Sequence, residues 1–278
     1  MHAQRIPTTL AALLLIPMAT QHTNAQPQSS NSPVDAATAI VNVSYHHMQG
    51  VVRVNGIPVK RFGEEPSNNS AQLLTFPLAG YAINGANEVS LETKPTGSGE
   101  DASAQLALIS GTSLEALEHP MFQQDVTAAA TIRHSITLQN TPYHVFDDAT
   151  PWKGENGPVL VAVKALHTAV AKRDLKAFAA FVRPEYDLLP RLHAWGTFDE
   201  QMKEVEGNLK NCTLAPLPAK LSVESYYGGR LVLVTDPDGA PPIRAMCSSE
   251  PGTPADIPWE QGAFWCYRQG IWIPLAMY

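Results

Sequence analysis

The sequence predicts a β-sandwich followed by an α+β domain, and three observations carry that expectation. In the first half, short runs of alternating apolar and polar residues are separated by Gly, Pro and Asn, the period-2 mark of half-buried antiparallel strands. Near residue 147 the composition turns acidic and rich in Pro and Gly, as it does between domains. Beyond that point the apolar period switches to 3.6 and then returns to 2, which places helices first and strands last.

Residues 1–25 read as a secretory leader. Arg5 precedes an apolar run from Leu10 to Ile16, and Thr23, Asn24 and Ala25 form a small-residue cleavage site. The run is about half the roughly 20 residues that a bilayer-spanning helix needs, so no stable membrane insertion is expected after cleavage. Residues 26–36 are rich in Gln, Ser, Asn and Pro, the composition of a flexible leader.

The sandwich is expected over 37–146. Val41, Val43 and Tyr45 alternate with Asn42 and Ser44, and Asn55-Gly56 supplies the positive φ angles of a tight hairpin. The arm over 57–62 carries Pro58, which cannot donate to a ladder, so it reads as an edge. Further strands are marked by residues 72–76, by Val89 and Leu91, by Leu106 and Leu108, and by Ile132, His134, Ile136 and Leu138. Polar loops intervene around 63–70 and 96–102. A linker then occupies residues 147–157, DDATPWKGENG.

The α+β domain is expected over 158–278. Val159, Val163, Leu166 and Val170 recur at spacings of four, three and four, one face of a helix. Asp174 is placed to cap a second helix that buries Leu175, Phe178 and Phe181 and is expected to stop at Pro184. Thr197-Phe198-Asp199-Glu200 is a capping box, and Phe198, Met202, Val205 and Leu209 continue a third helix. Strands follow around Leu221 and Val223, at 231–234 and 243–247, and at 263–267 and 271–275 either side of Gln269-Gly270.

Composition narrows the function classes. Apolar residues make up 44% of the 278, enough to build cores, and the formal charge of −7 argues against nucleic acid and anionic membranes as partners. Three cysteines in an oxidising compartment allow one disulfide and one free thiol. Cys247 and Cys266 fall in adjacent expected strands and are the expected cross-strand pair, leaving Cys212 buried and inert. No metal-binding spacing, phosphate loop, dinucleotide fingerprint or nucleophile elbow occurs, so no cofactor is expected.

Residues 163–178, VKALHTAVAKRDLKAF, resemble the opening helix pair of the NTF2-like superfamily, the cystatin-like, SnoaL-type cone-shaped α+β fold. Residues 264–273, FWCYRQGIWI, look like its closing hairpin. The first half is similar to the jelly-roll or immunoglobulin-like modules of exported proteins. The NTF2-like resemblance implies a pocket inside the cone, often furnished with an Asp or His beside a Tyr. His167, Asp187 and His193 are the candidate bases, and Tyr186, Trp195 and Tyr267 the candidate pocket residues. For His167 the simpler reading is a boundary histidine holding one hydrogen bond, and for Asp187 a turn or capping carboxylate. The superfamily spans isomerases, dehydratases, binding modules and partner proteins. The expectation is therefore an exported, periplasmic or secreted, non-enzymatic module that binds a protein or small molecule. The alternatives are a small-molecule hydrolase, isomerase or dehydratase, and an envelope scaffold or toxin-neutralising protein.

Overall fold

A computed structural model describes residues 32–63, 71–96, 101–111, 114–188, 197–248 and 257–275. The expected leader over 1–25, most of the flexible span 26–36, and the candidates His193 and Trp195 lie outside the described residues. The first run of elements is β1 (Val34–Asp35), β2 (Ala39–His46), β3 (Met48–Val54), β4 (Ile57–Phe62), β5 (Gln72–Pro77), β6 (Gly85–Pro95) and β7 (Ser103–Ser110). A helical turn, α1 (Leu114–Glu118), leads to β8 (Phe122–Val126) and β9 (Ala130–Gln139). Helices α2 (Gly157–Ala171), α3 (Leu175–Leu188) and α4 (Phe198–Lys210) come next. The chain closes with β10 (Cys212–Leu214), β11 (Ser222–Tyr226), β12 (Leu231–Thr235), β13 (Ile243–Cys247), β14 (Ile257–Gln261), β15 (Phe264–Arg268) and β16 (Ile271–Leu275).

This is a sheet-rich α+β protein with four sheets among the described residues. Two come from the first half, ordered β1-β9-β6-β3-β4 and β5-β2-β7-β8. Alternation explains why they share a core: Val41 and Val43 of β2, Val52 and Val54 of β3, Val89 and Leu91 of β6, and Leu106 and Leu108 of β7 are all fully buried in one apolar cluster. Each such side chain contributes about 1.5–3 kcal/mol of burial free energy. Asn55 and Gly56 take φ of 52° and 82°, closing the β3–β4 hairpin, and β4 is a sheet edge. β1 pairs in parallel with β9 inside the span expected to be a flexible leader.

The second half forms sheets β11-β12-β15-β16 and β10-β13-β14. All five residues of β12, Leu-Val-Leu-Val-Thr, are buried, because its sheet is covered on both faces. Val232 and Val234 face the helices with Trp265, while Leu231 packs towards the first half with Cys266, Ile273 and Leu275. On the helix side, Val159, Val163, Leu166 and Val170 present the stripe that their spacing dictates. Asp174 Oδ1 accepts from the Ala177 amide at 3.0 Å, and Thr197 Oγ1 accepts from Glu200 N at 3.3 Å, capping α3 and α4. Among the described residues no helix is long and apolar enough to cross a membrane.

Three expectations are corrected. Helix α3 continues through Pro184 to Leu188, so packing of its apolar face outweighs the lost backbone hydrogen bond. The disulfide joins Cys212 to Cys247, and Cys266 is free and buried. The physical reason is the three-residue strand β10, too short to register as a periodic pattern, which places Cys212 directly opposite Cys247. Strands β13 and β15 belong to different sheets, so Cys247 and Cys266 are never cross-strand neighbours. Strand β14, which carries Trp259, was also unforeseen, because Pro258 interrupts its apolar pattern.

Candidate functional site

Among the described residues, those expected to line a cone pocket, His167, Tyr186, Asp187 and Tyr267, are each engaged with other partners. His167, on α2, sits with Nε2 3.1 Å from the Ala215 carbonyl, tying the helix to the chain leaving β10. Asp187 is exposed on the last turn of α3, where Arg183 one turn earlier pairs with it at 3.4 Å. Tyr186 packs edge-on to Phe198 of α4 at 5.1 Å between centroids, and burial followed by the charges of Glu185 and Glu204 raises its hydroxyl pKa. Tyr267 meets the rings of Trp152 and Trp272 at 5.1 and 5.3 Å. Between helices and sheet the space is taken by Trp265, Phe178, Leu166 and Val163. Trp265 is fully buried, with Nε1 donating to the Gly262 carbonyl at 2.6 Å.

One buried carboxylate escaped the sequence reading. Glu185 is only 5% exposed. Its signal was available, since Phe178, Val182 and Glu185 follow at spacings of four and three on the apolar face of α3. Its charge adds to burial in pushing the Cys266 thiol up to about 12, which keeps that sulfur protonated and inert.

The expected linker is stitched to the second half. Ala149 is buried, Thr150 N donates to the Tyr267 carbonyl at 2.8 Å, and Trp152 N donates to the Gly229 carbonyl at 2.8 Å. The two halves are joined by Ile57, Val145, Phe146, Leu231, Cys266, Ile273 and Leu275, which form one apolar cluster. Beside it Tyr227 stacks on Phe146 at 5.2 Å, and Phe146 on His144 at 4.8 Å.

This junction opens a cleft of about 240 Å³ between the β3–β4 edge and the β11–β12 hairpin. Arg53, Pro58 and Arg61 form one wall, while Ser222, Glu224, Leu233 and Thr235 form the other. Strand alternation puts the latter four on one face, because Ser222 pairs with Thr235 and Glu224 with Leu233. The turn Asp236-Pro237-Asp238-Gly239 closes the end.

Three charged groups at the cleft, Arg53, Glu224 and Asp236, are held by neighbours. Arg53 Nε donates to Glu92 at 3.2 Å and Nη1 to the Gly56 carbonyl at 3.2 Å. Tyr226 donates to Glu224 at 2.5 Å. Burial, then the bond to Glu224 and its charge, raise the Tyr226 pKa, with Arg53 opposing, so that hydroxyl stays a donor. Asp236, 5% exposed, accepts from the amides of Asp238 and Ala240 at 2.9 Å each and from Arg244 at 2.9 Å. Gly239 has a φ of 82°, a conformation that favours glycine, and the Arg61 guanidinium lies where a Cβ would stand.

The lining thus offers guanidinium, carboxylate and hydroxyl groups, a set suited to holding a charged polar molecule. Among the described residues no group of three or more His, Cys, Asp or Glu side chains is arranged to hold a metal ion. No family model, curated protein or solved structure matches the chain. The cleft is therefore read from its own chemistry. Sequence reasoning missed it because Arg53 and Arg61 lie more than 150 residues from their facing groups, and nothing local marks a surface completed only by docking.

Proposed function

We propose that the chain is an exported, non-enzymatic binding module, built as a β-sandwich joined to an NTF2-like α+β domain, whose ligand site is the polar cleft at their junction. One observation carries the reading: side chains from both halves converge on a single cleft bearing charges of both signs. The leader over residues 1–25 supports export, and the Cys212–Cys247 disulfide suits an oxidising compartment. The order of helices α2 and α3 before an antiparallel sheet, with a closing hairpin at Gln269-Gly270, supports the NTF2-like assignment. Binding is favoured over catalysis because His167 and Asp187 hold separate structural partners rather than a shared reacting atom.

The test is a melting-temperature screen against amino acids, short peptides, sugars, dicarboxylates and polyamines. At least one class is expected to raise the melting temperature of the protein and to leave that of Ser222→Trp unchanged. Ser222 is exposed on the cleft wall, so the indole occludes the cleft without disturbing a core. Equal shifts in both proteins would place binding elsewhere.

A further inference from the structure

We propose that the cleft takes a small zwitterion of amino-acid to dipeptide size, an inference that rests on the cleft being the binding site. Three charged side chains at the cleft already have partners. Arg53 is committed to Glu92, Asp236 to Arg244 and two backbone amides, and Glu224 to the Tyr226 hydroxyl. Arg61 and Asp238 are left, exposed at the same end of the cleft, and neither has an ion-pair partner among the described residues.

These two groups have opposite charge and do not pair with each other. The Arg61 guanidinium lies against Gly239, and the backbone amide of Asp238 donates to Asp236 Oδ1 at 2.9 Å, which holds the turn that carries the Asp238 carboxylate. A guanidinium presents a planar fork of donors that matches a carboxylate bidentately, whereas a carboxylate accepts from an ammonium. A ligand carrying both groups satisfies both residues at once. A dianion would meet the carboxylates of Glu224 and Asp238, and a polyamine would meet Arg61, so single-sign ligands are opposed. The hydroxyls of Ser222 and Thr235 add neutral partners for a peptide or amino-acid backbone. Size gives the second limit: about 240 Å³ lies below the roughly 300 Å³ at which drug-sized sites begin.

Titration calorimetry with L-alanine, L-alanyl-L-alanine, its N-acetyl form and its C-terminal amide tests the proposal. The free dipeptide is expected to bind, with each blocked form at least about tenfold weaker, a difference of about 1.4 kcal/mol. Arg61→Gln should bind the free and amidated peptides equally, and Asp238→Asn the free and acetylated peptides equally. Blocked peptides binding as tightly as the free one would overturn the zwitterion. So would binding by only a sugar, dicarboxylate or polyamine that Ser222→Trp abolishes, an outcome that leaves the cleft standing as the site. If no class binds, or Ser222→Trp retains all binding, the cleft itself is refuted and the zwitterion with it.

Discussion

The Tyr227 hydroxyl donates to the Tyr81 carbonyl at 2.6 Å, joining residues 146 positions apart in sequence. The same oxygen accepts from Asn55 Nδ2 at 2.9 Å, and Asn55 also bonds Asn87 Oδ1 at 2.8 Å. A polar group on the second half therefore completes a network within the first. The Tyr227 backbone is held at a φ of 50°, a conformation that a non-glycine residue keeps only when its surroundings demand it.

Replacing Tyr227 with Phe keeps the stack on Phe146 and deletes both hydrogen bonds. The Tyr81 carbonyl then loses its donor from Tyr227, and stability should fall by about 1–3 kcal/mol in denaturant unfolding. A variant as stable as the parent would mean that the two halves are not held through this oxygen.

Non-reducing peptide mapping should recover a Cys212–Cys247 cross-link and an unmodified Cys266. The bridge spans a separation of 35 residues, so Cys212→Ala should cost about 2–4 kcal/mol. Cys266 should resist alkylation at pH 8 until the protein unfolds, since burial keeps its thiol protonated. A Cys247–Cys266 peptide would contradict the strand register.

His134 stacks on Phe122 at 4.0 Å, and burial lowers its pKa from 6.5. The folded state thus binds the proton more weakly than the unfolded chain. The sign follows: the neutral imidazole's stabilising contribution is fully present above about pH 6.5 and is lost as pH falls through the lower folded value. Unfolding free energies of the parent and His134→Leu, compared from pH 8 to pH 5, should show a pH-dependent loss specific to the parent. A constant difference across that range would rule out this titration.

Arg244→Ala leaves Asp236, a nearly buried carboxylate, with its backbone donors alone. A loss of about 1–3 kcal/mol is expected, with loosening of the 236–239 turn that backs Arg61. Faster hydrogen exchange at the Asp238 and Ala240 amides reads out that loosening directly. Unchanged exchange there would show that the ion pair does not set the turn.

What the sequence made legible was local. The Asn55-Gly56 hairpin, the Asp174 cap, the Thr197 capping box and the stripe through Val159, Val163, Leu166 and Val170 all act over a few residues, where periodicity and φ preferences decide. Strand β10 was illegible because three residues cannot display a period, and with it went the cysteine pairing. Pro184 misled because a local rule was overridden by tertiary packing of Phe178 and Val182. The cleft was illegible for a deeper reason. Arg61 and Gly239 touch only after each half has folded and the two have docked, so no window along the chain contains the site.

Backbone amide chemical-shift mapping during titration with L-alanyl-L-alanine measures directly where a polar ligand binds. The predicted result is a set of saturable shifts confined to residues 53–61, 222–226 and 233–240. Shifts centred instead on His167, Tyr186 and the α2–α3 helices would contradict it, returning the site to the interior of the helical half.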